Sequence, residues 1–177
     1  ATCYVAATRY KLNDRTPYLY KTTDYGKTWK LITTGITAGD YTRVIREDPS
    51  CKGLLFAGTE TGVYISLDDG GHWQSFRQNL PVTPVHDIQI QNRDHDLVLA
   101  THGRSFWIMD DITPLYHLQD AANSETGFLF SPRKTVRAHN GSYYSPQMQE
   151  GENAPGGLLL RYYFKHKPDS ECTMTFF

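Results

Sequence analysis

Thr22-Thr23-Asp24-Tyr25-Gly26-Lys27-Thr28-Trp29 and Ser66-Leu67-Asp68-Asp69-Gly70-Gly71-His72-Trp73 are two copies of one pattern, hydroxyl-x-Asp-x-Gly-x-x-Trp, whose first residues lie 44 positions apart. In each copy the carboxylate of Asp24 or Asp68 can fold back onto backbone amides of a tight turn, as can the hydroxyl of Thr22 or Ser66. Gly26 and Gly70 supply the positive φ such a turn demands. Trp29 and Trp73 then enter the next strand, where a large apolar face calls for burial and one N–H calls for an acceptor. Read this way, each copy is a rigid structural hairpin and neither aspartate is catalytic. A period of this length, with strand-like sequence on both sides of the turn, is what radially repeated four-stranded sheets produce.

Outward from the two copies, strand and turn chemistry alternate. Cys3 to Tyr10, Pro17 to Thr22 and Thr28 to Ile32 read as strands of a first unit. Tyr41 to Glu47, Leu54 to Thr59, Gly62 to Ser66 and Trp73 to Arg77 make a second. A third runs through Val85 to Gln91, Leu97 to Thr101 and Ser105 to Met109, and there the box pattern stops at Asp110-Asp111. Units two and three match at an offset of 42, with Gly58-Thr59-Glu60 against Ala100-Thr101-His102 and Tyr64-Ile65 against Phe106-Trp107. Leu115 to Gln119, or a strand from elsewhere in a longer parent chain, is expected to complete the third unit. Beyond it, Asp120 to Gly127 is polar, Phe128-Leu129-Phe130 and Val136 offer a short apolar patch, and Ala138 to Gly157 is rich in Gly, Ser, Asn, Gln and Pro, which is linker composition. Leu158 to Phe164 and Thr173 to Phe177 are again strand-like.

Composition bounds the function classes. The 177 residues carry a net charge of −1 with no basic run, so nucleic acid and anionic membrane surfaces are not indicated as partners. No apolar run approaches the length of a membrane span. The 12 tyrosines favour strands over helices. Cys3, Cys51 and Cys172 are too few and too widely spaced for a disulfide framework or a zinc pattern, which leaves room for a single bridge. The start at Ala1, with neither Met nor a signal-peptide pattern, reads as a fragment of something larger.

The two copies resemble Asp-boxes, the bacterial-neuraminidase-type repeats of sialidases, sortilin-type receptor propellers and xyloglucan-active tandem-propeller glycosidases. More narrowly, Tyr18-Leu19-Tyr20-Lys21-Thr22, Leu54-Leu55-Phe56-Ala57-Gly58-Thr59-Glu60, Asn79-Leu80-Pro81-Val82-Thr83-Pro84-Val85-His86-Asp87 and Thr101-His102-Gly103-Arg104-Ser105-Phe106-Trp107 resemble a bacterial family labelled glycosyl hydrolase with Asp-box repeats and a sortilin-like region. The resemblance implies an all-β chain with about three β-propeller blades of an incomplete ring over 1–119, a linker over 120–157, and the first strands of an immunoglobulin-like β-sandwich over 158–177. Glu152-Asn153-Ala154-Pro155-Gly156-Gly157 is similar to the segment that opens that sandwich. It further implies a secreted, periplasmic or cell-surface setting and a ligand face away from the boxes. The partners implied are a glycan, peptide or protein ligand, together with the remaining blades of a parent protein or self-association.

Candidate chemistry then falls on strand ends. Glycoside cleavage calls for two suitably spaced carboxylates, one with a raised pKa. Glu60, Asp87, Asp110 and Asp111 stand at strand ends, and the plainer role for each is a solvated or turn-capping acid. A sialidase-type arginine triad and the Arg-Ile-Pro signature are absent. His102-Gly103-Arg104 is the most suggestive constellation: Arg104 can clamp a carboxylate, His102 can donate or accept a proton, and Trp107 follows as an aromatic anchor. The plainer reading has Arg104 pairing with a neighbouring acid and His102 bonding a loop carbonyl. Asp94-His95-Asp96 offers too few converging ligands for a metal and reads as a polar hairpin. Asn140-Gly141-Ser142 matches the glycosylation triplet and carries no weight. No cofactor is called for. Two functions result: a glycan-, peptide- or protein-binding module, and alternatively part of a glycoside hydrolase acting on polysaccharide.

Overall fold

The structure, a computed structural model, describes residues 1–135 and 157–175. It is mostly strand, arranged in several antiparallel sheets, with little helix. Two compact units are formed, Ala1–Ile112 and Thr113–Phe177.

The first unit holds three sheets. β1 (Cys3–Ala7), β2 (Tyr18–Thr22) and β3 (Lys30–Leu31) form the first. β4 (Thr42–Glu47), β5 (Leu55–Thr59), β6 (Val63–Ser66) and β7 (Gln74–Ser75) form the second, and β8 (Val85–Gln91), β9 (Asp96–Thr101) and β10 (Phe106–Met109) the third. Each sheet is a plain meander in chain order. The second lies between the other two, with β1 against β4, and with β4 and β5 against β8.

The pairing register shows the repeat directly. The β4–β5 ladder slips between Thr42 and Val44 after the pair Thr42–Thr59. The β8–β9 ladder slips at the matching place, between Val85 and Asp87 after the pair Val85–Thr101. On this register β8, β9 and β10 correspond to β4, β5 and β6. Cys3 pairs with Thr22 as Leu55 pairs with Ser66, so β1, β2 and β3 correspond to β5, β6 and β7. Ala57 faces Tyr64 as Leu99 faces Trp107. The offset of 42 therefore holds between β5 and β9 but is 43 between β4 and β8 and between β6 and β10, making Tyr64 the equivalent of Trp107. The loop before β10 is one residue longer than its counterpart, and Ser105 in it takes a φ of 61°.

Period-2 alternation explains the packing. One face of the second sheet buries Ile45, Leu55, Ala57, Tyr64 and Trp73 against Leu19 and Ile32 of the first, with Tyr4, Ala6 and Ile36 at the rim. Its other face meets the third sheet, where Gly58 is hemmed in: a Cβ there would stand 2.6 Å from Val44 Cγ1 and 2.7 Å from the Val85 carbonyl oxygen. Because both faces are covered, β5 and β6 are buried throughout.

The two boxes share their bonds. Thr28 N–H donates to Asp24 at 2.9 Å and His72 N–H to Asp68 at 2.8 Å. The hydroxyls of Thr22 and Ser66 donate to those same carboxylates and accept from Gly26 and Gly70 N–H, both at 3.0 Å. Left-handed pairs Tyr25-Gly26 and Asp69-Gly70 make the turn. The tryptophans differ. Trp73 is 1% exposed, its Nε1–H donating to the Ile32 carbonyl at 2.7 Å and its backbone N–H to the Thr34 carbonyl at 2.8 Å. Trp29 is 45% exposed, against the expectation of burial. The cover over Trp73 comes from the sheet next to it, and none of the described sheets stands in that relation to Trp29.

Other expectations change too. Leu115 to Gln119 is not a strand: a 3-10 turn spans Thr113–His117 and a short helix, α1, Leu118–Asn123, so among the described residues no fourth strand joins β10. Of the late strand-like runs, among the described residues, only β12 (Tyr162–Tyr163) is strand, paired with β11 (Phe128–Leu129), and Thr173 to Thr175 is not. Two paired residues bury too little to extend a sheet by themselves. In this unit Ala121 and Phe130 are buried, the Phe128 and Phe130 rings meet edge to face at 5.0 Å, and Phe164 fills the space beside Gly127. Residues 136–156 of the linker expected over 120–157, with the Asn140-Gly141-Ser142 triplet, lie outside the described residues. Cys3, Cys51 and Cys172 are all free thiols. No helix among the described residues is long and apolar enough to cross a membrane.

Candidate functional site at the bulged ends of the strands

Strand direction separates the unit into two ends. The boxes follow β2 and β6, while the loops at 8–17, 60–62 and 102–105 lie at the opposite ends of those hairpins. At that second end each β-bulge displaces one residue from the ladder. The displaced residues are Arg43 in the second sheet and His86 in the third, at the same place in the repeat. Bulges re-aim side chains in this way.

Each bulge residue faces the loop residue of its own sheet. Arg43 Nε and Nη2 donate to Glu60 Oε2 at 2.9 and 2.5 Å, and Nη2 also donates to the Tyr41 hydroxyl at 3.0 Å. Its guanidinium lies over the Tyr10 and Tyr41 rings, which stack 5.1 Å apart. In the third sheet the equivalent pair is His86 and His102, ring on ring at 5.2 Å. The loops are hung alike: Glu60 N–H donates to the Tyr41 carbonyl at 3.2 Å and His102 N–H to the Pro84 carbonyl at 2.9 Å. Asp40, buried behind the Glu60 loop, accepts from Thr59 and Thr61 and fixes it.

The charges tune one another. Burial pushes the Glu60 carboxyl up, but hydrogen bonds from Arg43 and Tyr41 and the Arg43 charge outweigh it and hold the group below the usual range. Burial, then Arg43, then His102 push His86 down. Arg104 and His102 are exposed, and the Arg104 side chain has no hydrogen-bond partner among the described residues. Gly103, at φ 84°, turns the backbone between them with open space on its Cβ side. This end can therefore offer cationic and hydrogen-bonding groups beside two tyrosine rings, one of them exposed.

The sequence candidates separate. Glu60, His102 and Arg104 belong to this end. Trp107 does not point there: its Nε1–H donates to the Arg104 carbonyl at 2.9 Å and it lines a cleft with Val63, Phe76, Leu80, Leu97 and Leu99 between the second and third sheets. Asp87 pairs with Arg46 at 2.7 Å and accepts from Ile88 N–H. Asp110 and Asp111 follow β10 at the box end, where Asp111 N–H donates to Asp96 at 2.9 Å. The four candidate acids thus share no single cleft. Asp94 pairs with Arg93 within its turn, and among the described residues no group of three metal-ligating side chains gathers. Sequence reasoning missed Arg43, Tyr10, Tyr41 and His86; the only available signal was the 43-residue spacing of Arg43 and His86.

The box end holds a concavity of about 340 Å³ between the two turns, lined by Thr23, Thr28, Trp29, Lys30, Asp68 and Gly71 among others. Its carboxylates are already committed, Asp68 to its turn and Asp69 to Lys21 and to the Tyr4 hydroxyl. It is less able than the bulged end to engage a ligand's polar groups. Comparison with protein-family models gives no match for this chain, and comparison with curated proteins gives none.

Proposed function

We propose that the three sheets are blades of a sortilin-like Asp-box β-propeller and that the chain is a binding module for a glycan, peptide or protein ligand, engaged at the bulged strand ends. The reading includes a secreted, periplasmic or cell-surface setting, and the residues from Leu158 onward as the start of an immunoglobulin-like sandwich. One observation carries the binding site: the repeat places a bulge residue against a loop residue twice over, Arg43 with Glu60 and His86 with His102, at the end opposite the boxes. A purely structural repeat has no need to vary those pairs between an ion pair and two imidazoles. Catalysis as a glycoside hydrolase is the weaker reading, because Glu60 is held below the usual carboxylate range, whereas a proton donor needs a raised pKa, and the neighbouring Asp40 is committed to Thr59 and Thr61.

The test is a screen of the protein against glycan and peptide arrays, followed by titration of each hit with His102→Ala and Arg104→Ala. Both side chains are exposed, so the variants should melt like the parent while binding at least about tenfold more weakly. Hits whose affinity ignores both substitutions would move the site elsewhere.

A further inference from the structure

At the bulged strand ends the acids are engaged while hydrogen-bond donors are left over. Glu60 accepts from Arg43, and Asp40 from Thr59 and Thr61. Asp14 in the 8–17 loop accepts from Thr16 N–H and the Tyr18 hydroxyl, and Asp87 is held by Arg46. Arg43 makes its bonds through Nε and Nη2, so Nη1 has no acceptor among the described residues. The Arg104 side chain has none either, and the imidazoles of His86 and His102 meet ring on ring without a hydrogen bond to any described residue. The loop amides are engaged as well: Thr59 N–H donates to the Gly62 carbonyl at 2.8 Å, Thr61 N–H to Asp40 at 3.1 Å and Thr101 N–H to the Ser105 carbonyl at 3.2 Å.

We propose that the ligand is an acidic glycan, and that its sugar carboxylate is taken up together with a proton on the stacked imidazoles of His86 and His102. This rests on the bulged ends being the ligand site. A neutral imidazole has one donor, and a proton on the pair adds a second together with a positive charge. Burial, then Arg43, then His102 oppose that charge on His86. A carboxylate bonded to the rings and to a guanidinium offsets the repulsion, so anion and proton each strengthen the binding of the other. Glu60 is the remaining charged group facing His86; it is held below the usual carboxylate range and stays ionised where imidazoles titrate, which leaves the histidines to carry the coupling. An acidic peptide fits less well. Extended peptides dock by pairing their backbone with open strand groups, and here those of the loops are engaged. A sugar is held by side chains, its carboxylate by N–H groups and its C–H face by a ring such as Tyr10, which stacks on Tyr41.

The experiment is calorimetric titration of the full chain with a galacturonic acid oligomer, the matching neutral galactose oligomer and a glutamate-rich peptide of equal charge, at about pH 8 and about pH 5.5, where sugar carboxylates remain ionised. The acidic oligomer should bind about tenfold more tightly at the lower pH, and the other two probes more weakly than it does. His86→Gln and His102→Gln should each shrink that gain to less than about threefold. NMR titration of the imidazole ring protons gives a second readout in the unaltered chain: the His86 midpoint should rise when the acidic oligomer is added. Failure of the acidic oligomer to bind, an affinity that ignores pH, a fixed His86 midpoint or a peptide that binds as tightly as the sugar overturns the proposal. A neutral oligomer that binds as tightly as the acidic one and is weakened by Arg104→Ala overturns the anion but leaves the bulged-end site standing. Binding indifferent to both Arg104→Ala and His102→Ala overturns the site itself, and the proposal with it.

Discussion

At the scale of single residues the two boxes are a controlled comparison, since the same turn carries a covered tryptophan in one copy and an open one in the other. Trp73→Ala should cost about 3–5 kcal/mol, because it empties a filled site and strands the Ile32 carbonyl. Trp29→Ala should cost less than about 1 kcal/mol, as an exposed side chain does. Urea denaturation of both variants reads the contrast, and equal losses would mean that Trp29 is covered in solution. Asp68→Ala should cost about 1 kcal/mol by releasing the turn amide of His72. The box itself was legible because hydroxyl, Asp, Gly and Trp each have one local job. The exposure of Trp29 was not, since burial of a tryptophan depends on what stands beside its sheet.

At the scale of elements, the strands were legible nearly to the residue wherever alternation ran between turn signals, as in β8 and β9. Where they failed the reason was missing company. Leu115 to Gln119 is apolar enough for a strand, but a left-handed Asp111 and Pro114 turn the chain into a 3-10 turn and helix. The bulges were invisible because pairing register is a property of two strands at once. Hence the cluster of Arg43, Tyr41 and His86 went unread while the loop residues Glu60, His102 and Arg104 were found. Sheet-to-sheet packing supplies a test. Gly58→Val should destabilise by about 1–3 kcal/mol, since the new side chain would be driven into Val44 and Val85. Ala100→Val, at the equivalent place on the third sheet, where no such close contact is made with a neighbouring sheet among the described residues, should change stability by less than about 0.5 kcal/mol. Thermal melts of the pair would distinguish a packed interface from a loose one; equal effects would deny that the second and third sheets pack as described.

At the scale of the whole molecule, ionisable groups stitch the first unit together, and their shifts set a pH window. Asp24 is lowered to about 2 by the hydroxyl and N–H of Thr28 and by Thr22, and Asp68 is lowered chiefly by the His72 N–H. Asp69 is lowered as well: burial opposes this, but Lys21 and Tyr4 prevail, and the three side chains tie the first sheet to the second. A carboxyl whose folded pKa lies below its unfolded value binds fewer protons when folded, so stability present above about pH 4 is lost as pH falls toward about 2. His86 is lowered too, so the unfolded chain takes its proton first and a smaller loss begins as pH drops through about 6.5. Tyr4 runs the other way. Burial and its bond to Asp69 raise it, so its contribution is complete below about pH 10 and is lost as pH rises beyond that. Urea midpoints measured from pH 3 to pH 11 should therefore trace a plateau between about 7 and 10, a shallow shoulder on the acid side, then a steep fall. His86→Gln should remove the shoulder and leave the steep fall, and Tyr4→Phe should flatten the alkaline limb at the expense of the plateau's height. Stability that climbs as the pH is lowered from 7 to 4 would contradict the carboxylate network, and with it the bonds that hold the first sheet against the second.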